Sequence, residues 1–135
     1  MNTKHEMLAA IQSAEDGPTA AELAAAPTLD EWQIELWNDH FRIYGECPDH
    51  PEIDDQFVTT SPIIGFSASE HWARSRSRWY RLGPNFCSPE PPERTDQLLR
   101  EVERALAAQR KQVRAGLQKK TKVLLSNRDY WGGST

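Results

Sequence analysis

The chain has 135 residues, of which 27% are charged and 38% hydrophobic, and a formal net charge of −4. That length fits one domain with a core of its own, and apolar runs of only four or five residues exclude a membrane span. The small net charge conceals a division, because residues 1–56 hold 13 acids against Lys4 and Arg42, while residues 57–135 hold 7 acids against 14 bases. Such asymmetry points to partners recognised through the electrostatic field, or to two halves held together by it.

The first elements are helical. In residues 4–15, Met7, Leu8, Ile11 and Ala14 share one face, and Gly17-Pro18 ends the run. Thr19 with Glu22 is a capping-box pattern for a second short helix, which Pro27 stops at Ala26. Strands follow. Trp32, Ile34 and Leu36 alternate with Gln33, Glu35 and Trp37; Asn38-Asp39 reads as a tight turn; Phe41 and Ile43 alternate with Arg42 and Tyr44. Pro48–Gln56 is an acidic loop, and residues 57–67 predict a third strand with Pro62 at an edge or bulge. Residues 71–82 predict a fourth strand, with Trp72, Arg74, Arg76, Arg78 and Tyr80 along one face.

A Pro-rich linker leads to a long helix, Asp96 to Asn127, with a stripe of Leu99, Val102, Leu106, Val113, Leu117 and Leu124. At ~1.5 Å per residue it spans roughly 45 Å, against about 20 Å for a typical strand. Its far end, with Val113, Leu117 and Leu124, is therefore expected to lack intramolecular partners and to pair in a homodimer or on another protein.

The expected fold is α+β: a helical lead-in over 1–28, a four-stranded, mainly antiparallel sheet within 29–83, a linker over 84–95, the long helix over 96–127 and a tail over 128–135. Trp32, Ile34, Leu36, Phe41, Ile43, Ile64, Leu99, Val102 and Leu106 are the expected core. Cys47 and Cys87 are too few for a disulfide framework, and no basic-then-apolar start marks a secretory signal, so a cytoplasmic protein is expected.

Several motifs stand out between Leu29 and Gly83. Ala25-Ala26-Pro27 leads to Leu29-Asp30 and Trp32; Gly45, His50-Pro51 and Thr60-Ser61 follow; WARSRSRWYRLG occupies Trp72–Gly83. In these the chain resembles a family of small, uncharacterised alphaproteobacterial proteins often found on plasmids and prophage-like elements. It departs from that family at Asp54-Asp55, where an Asp-Gly turn is usual. The resemblance implies a β-hairpin and a mobile-element setting, and it assigns no catalytic residue.

Three charged surfaces are candidates for binding. Arg74, Arg76 and Arg78, at ~6.6 Å intervals along a strand, have the spacing to track a phosphate backbone, with Trp72 and Tyr80 stacking bases. The other reading is a solvated sheet face paired to Glu35, Glu46 or the acidic loop. Arg110, Lys111, Arg114, Lys119, Lys120, Lys122 and Arg128 form a segment without acids, more cationic than the helix dipole alone favours. Asp49, Glu52, Asp54 and Asp55 can imitate a phosphate row for an arginine-lined groove in another protein, or simply keep a loop solvated.

Cys47-x-x-His50, with His71 and Cys87 elsewhere, supplies zinc-type ligands but only one close pair, so no metal or other cofactor is expected. No nucleophile elbow supports a Cys47–His50 or Ser61–His71 scheme. The expected function is non-enzymatic: a regulator or inhibitor occupying a surface of a protein or nucleoprotein complex, an anti-CRISPR protein being one example. A nucleic-acid binder using the arginine strand and the basic helix is the alternative, disfavoured by a pI near 5.6. A small enzyme or zinc protein around Cys47 and His50 is the third reading.

Overall fold

Helices α1 (Thr3–Asp16) and α2 (Ala20–Ala25) open the computed structural model, which describes residues 3–50, 56–86 and 92–117. Met7, Ala10, Ile11 and Ala14 form the buried face of α1. The capping box at α2 is complete: Thr19 Oγ1 accepts from Glu22 N–H at 3.0 Å, and Glu22 Oε1 accepts from Thr19 N–H at 2.9 Å. The chain turns extended at Ala26, before Pro27.

Strands β1 (Thr28–Trp37) and β2 (His40–Glu46) form the hairpin expected from their alternation. Asn38 (φ 50°) and Asp39 (φ 64°) occupy its two-residue turn, in the left-handed conformation those residues tolerate best. Beyond the hairpin the expectation of four strands is overturned. Residues 57–67 divide into β3 (Phe57–Thr59) and β4 (Ile63–Ser67), because Pro62 gives no N–H to a ladder. Between them Thr60 anchors the crossing, donating its N–H to Ile43 O at 2.8 Å and accepting from Ile43 N–H at 3.0 Å.

The single strand expected over residues 71–82 is also a hairpin, β5 (Trp72–Ser75) and β6 (Trp79–Leu82). The Ser75 hydroxyl makes the turn. It accepts from the N–H groups of Ser77 at 3.3 Å and Arg78 at 3.1 Å, and Ser75 N–H donates to Arg78 O at 3.0 Å. The six strands lie in the order β3-β2-β1-β6-β5-β4. All neighbours are antiparallel except β1 and β6, which run parallel through Thr28–Arg81 and Leu29–Leu82. Two three-stranded meanders therefore meet at a seam two residues long.

Helix α3 (Pro92–Leu117) begins four residues earlier than the expected Asp96, with proline in its first turn, where the missing N–H costs nothing. Three buried clusters hold the layers. Leu99 and Leu106 of α3 close over Leu29, Trp32, Ile43 and Phe66 inside the sheet. α1 packs on β4 and the end of α3 through Ile11, Ile64, Val113 and Leu117. α2 covers Trp72 and Trp79 on the outer face of β5 and β6. The close seat of α1 requires Gly65, where a Cβ would stand 2.7 Å from the Ala14 Cβ.

Two expectations about apolar residues are corrected here. Leu36, placed in the core from its alternation, is 63% exposed. Val113 and Leu117, expected to lack partners, are 3% and 5% exposed because α1 packs against them. That contact removes the reason for pairing a second copy through these two side chains. Leu124 lies outside the described residues.

Candidate interaction surface

The arginines read as a ladder do not share a face. An even-length turn places Arg74 opposite Trp79 and Trp72 opposite Arg81, so these four lie on the side that α2 covers. Tyr80, opposite Ala73, points the other way into the core. The single face of Trp72, Arg74, Arg76, Arg78 and Tyr80 is thus overturned by the turn at Ser75–Arg78, which carries Arg76 and Arg78 themselves. Arg74 lies 5.0 Å from the Trp79 ring centre, with Glu22 of α2 near enough to favour its charge, while burial pushes its guanidinium below the ordinary range. Arg81 Nε donates to Thr28 Oγ1 at 2.9 Å, and its Nη1 donates to Ala24 O at 3.2 Å. Arg74 and Arg81 thus brace α2 against the sheet.

Arg110 and Arg114 of the basic helix converge on one acid from the N-terminal half. Glu15 accepts from Arg114 through both oxygens, at 2.6 and 3.1 Å, and Arg110 Nε lies 3.7 Å from its Oε2. Arg110 Nη1 donates to Ile64 O at 2.8 Å. Lys111 is exposed, and Lys119, Lys120, Lys122 and Arg128 lie outside the described residues. The hydrogen bond from Arg114 is the first cause that holds the Glu15 carboxyl below its ordinary value of 4.5. A lowered carboxyl pKa stabilises the fold above the ordinary value and loses that contribution as pH falls through the folded one. Glu15→Gln is therefore expected to lower Tm at pH 7 and to make no difference in acid below both values. Thermal scans of both proteins from pH 7 to pH 2.5 measure the gap; a gap that stays constant contradicts the assignment.

Of the acidic loop, Asp49 is tied inward: its Oδ1 accepts from Thr28 N–H at 3.0 Å and its Oδ2 lies 3.8 Å from Arg81 Nη2. Glu52, Asp54 and Asp55 lie outside the described residues. Cys47 is fully buried, and burial together with Asp49 pushes its thiol up to about 11. His50 Nε2 lies 3.3 Å from the Tyr80 hydroxyl, and His71 is exposed in the turn before β5. Among the described residues no three His, Cys, Asp or Glu side chains gather into a metal site; Cys87 is outside them. A thiol held protonated is a poor nucleophile. Iodoacetamide at pH 8 is expected to leave Cys47 unmodified in the native protein and to label it fully in denaturant, read by peptide mass spectrometry. Rapid native labelling would contradict the burial.

Other large apolar residues are exposed. Leu36, Trp37, Phe57, Phe86 and Leu98 are each at least half exposed. Phe86 and Leu98 flank a groove of about 640 Å³ between β1 and the first half of α3, with Ile34, Phe41 and Val102 at its base. Gln33 and Phe86 also line an adjoining depression of about 260 Å³, with Tyr44, Phe57, Glu31 and Glu46. The sequence carried two signals for this surface. Leu98 is a large apolar residue beside the helical stripe, and Phe86 is an aromatic inside a proline-rich linker.

The sequence profile of a family of unknown function, DUF6634, matches residues 3–110. The chain belongs to the DUF6634 family. No curated protein and no solved structure matches it. The matched span takes in both short helices, all six strands and α3 as far as Arg110, so every wall of the groove lies inside the DUF6634 region. Among the described residues of this DUF6634 protein, no helix is long and apolar enough to cross a membrane.

Proposed function

We propose that this protein is a non-enzymatic binding protein that acts by occupying a surface of a protein or nucleoprotein complex through the groove between β1 and α3. The observation that carries the reading is the pair of half-exposed Phe86 and Leu98 at that groove, with exposed Phe57 in the depression that Phe86 also lines. Contiguous apolar surface of this kind is costly to leave in water and typically marks an interface. A mobile-element setting, implied by the resemblance over Leu29–Gly83, would make such a binder a regulator or inhibitor, an anti-CRISPR protein being one example.

The nucleic-acid reading is weaker, because Arg74, Arg110 and Arg114 already make intramolecular contacts that a phosphate would have to displace. Site-specific photocrosslinking in the native host tests the two together. A photoreactive phenylalanine at Leu98 is expected to capture a discrete protein, and the same group at exposed Ala107 is not. Equal background at both positions, or a product removed by nuclease, would overturn the reading.

A further inference from the structure

We infer that the groove takes an extended, basic segment of a partner protein, added as a strand to the open edge of β1. This rests on the binding role proposed above and names the kind of partner. β1 pairs with β6 through Thr28 and Leu29, and the chain after β6 continues that contact only as far as Trp32. There Trp32 N–H donates to Pro84 O at 3.3 Å, and Trp32 O accepts from Phe86 N–H at 3.0 Å. From Trp32 onward, past the register shift between Asp30 and Gln33, the polar backbone of even-numbered residues therefore faces this side, while odd-numbered residues bond to β2 around the two-residue turn.

The period of two carries Ile34 and Leu36 to the same side. Among the described residues, no backbone group bonds to either of them there. Ile34 N–H does not go on to bond Phe86 O, so the ladder along the described residues stops at Trp32.

An open strand edge beside an apolar groove is the geometry of strand addition: backbone bonds give affinity, and alternate side chains enter the groove. Ile34 and Phe41 form the strand wall; Leu98, Val102 and Ala105 form the helix wall. The charged side chains lining the groove and its adjoining depression are all acidic: Glu101, Glu31 and Glu46. A second copy on a two-fold axis would bring the same carboxylates against them, whereas a segment carrying lysine or arginine would satisfy them.

The test uses a blocked, fluorescein-labelled peptide of alternating lysine and valine against the full chain, read by anisotropy. It is expected to bind, and a version with glutamate for lysine is not. Leu36→Pro removes the outward N–H together with the leucine side chain, a change an edge strand tolerates, and is expected to weaken binding on the order of tenfold. A peptide N-methylated at alternate valines probes the same bonds without altering the protein and should lose affinity to a similar degree. Glu101→Lys should weaken binding about fivefold or more.

Undiminished binding of the N-methylated peptide, or of the lysine peptide to Glu101→Lys, would overturn strand addition at this groove. So would a doubled mass at tens of micromolar that Leu36→Pro returns to monomer, since the occupant would then be a second copy. Failure of the peptide with the Leu98 crosslink retained would sink the extended basic partner alone; loss of both would sink the binding role as well.

Discussion

Trp32→Ala is expected to lower the unfolding free energy by about 3–5 kcal/mol, a large part of the roughly 5–15 kcal/mol that holds an ordinary domain together. The ring is 3% exposed, meets Phe66 edge-on at 5.6 Å, and donates its Nε1–H to Gly83 O at 2.8 Å. Its backbone bonds to Pro84, the Asn85 side chain and Phe86, so one residue of the first meander holds four successive residues, 83 to 86, just beyond the second. Alanine would leave a cavity at the seam and strand the Gly83 carbonyl. Trp32→Phe should cost less, about 1–3 kcal/mol, because much of the packing stays and the hydrogen bond goes. Urea unfolding followed by far-ultraviolet circular dichroism gives both values without relying on the removed tryptophan as reporter. A cost below about 1 kcal/mol for Trp32→Ala would show that the meanders are joined by something else.

Leu117→Glu is the second large effect, and its contrast with Leu98→Glu is the sharper result. Both leucines belong to α3, but Leu117 is 5% exposed among Ile11, Ile64 and Val113, whereas Leu98 is 51% exposed. Placing a carboxylate in the first environment strips it of water, and the loss should be roughly 3–5 kcal/mol once the lost packing is included. The same change at Leu98 should stay within about 0.5 kcal/mol. Thermal melts of the two variants side by side check which face of the helix is covered. Equal melting temperatures would mean that α1 does not pack where Val113 and Leu117 require it.

Much of the fold was legible where its causes are local. The capping box at Thr19 and Glu22 and the turn at Asn38-Asp39 are set within a few residues, and both are present. The hairpin of β5 and β6 was missed for a physical reason. Its turn, Ser75 to Arg78, contains no glycine, proline or asparagine; a serine hydroxyl replaces the usual turn chemistry. An even-length turn also leaves the period of two unbroken along the sequence while exchanging the two faces, so the arginines looked continuous. The charge division suggested either outside partners recognised through the field or two halves held together by it, and the individual partners are beyond local reading. Glu15 and Arg114 stand 99 residues apart. The groove was the least legible feature, because it depends on where α3 lies across β1, and an exposed leucine cannot be told from a buried one by its identity.

The parallel seam between Thr28–Leu29 and Arg81–Leu82 also sets the order in which the chain can fold. Each meander closes through neighbours near in sequence, but the seam joins residues 53 apart and contributes only a two-residue ladder in return. Long loops closed for few contacts form late. On a ribosome the first meander is made long before Leu82 emerges, so it spends that interval with the whole length of β1 unpaired on one side. The vulnerable period is then the time needed to synthesise β4 to β6, and slowing translation there should raise aggregation more than slowing it anywhere after residue 92.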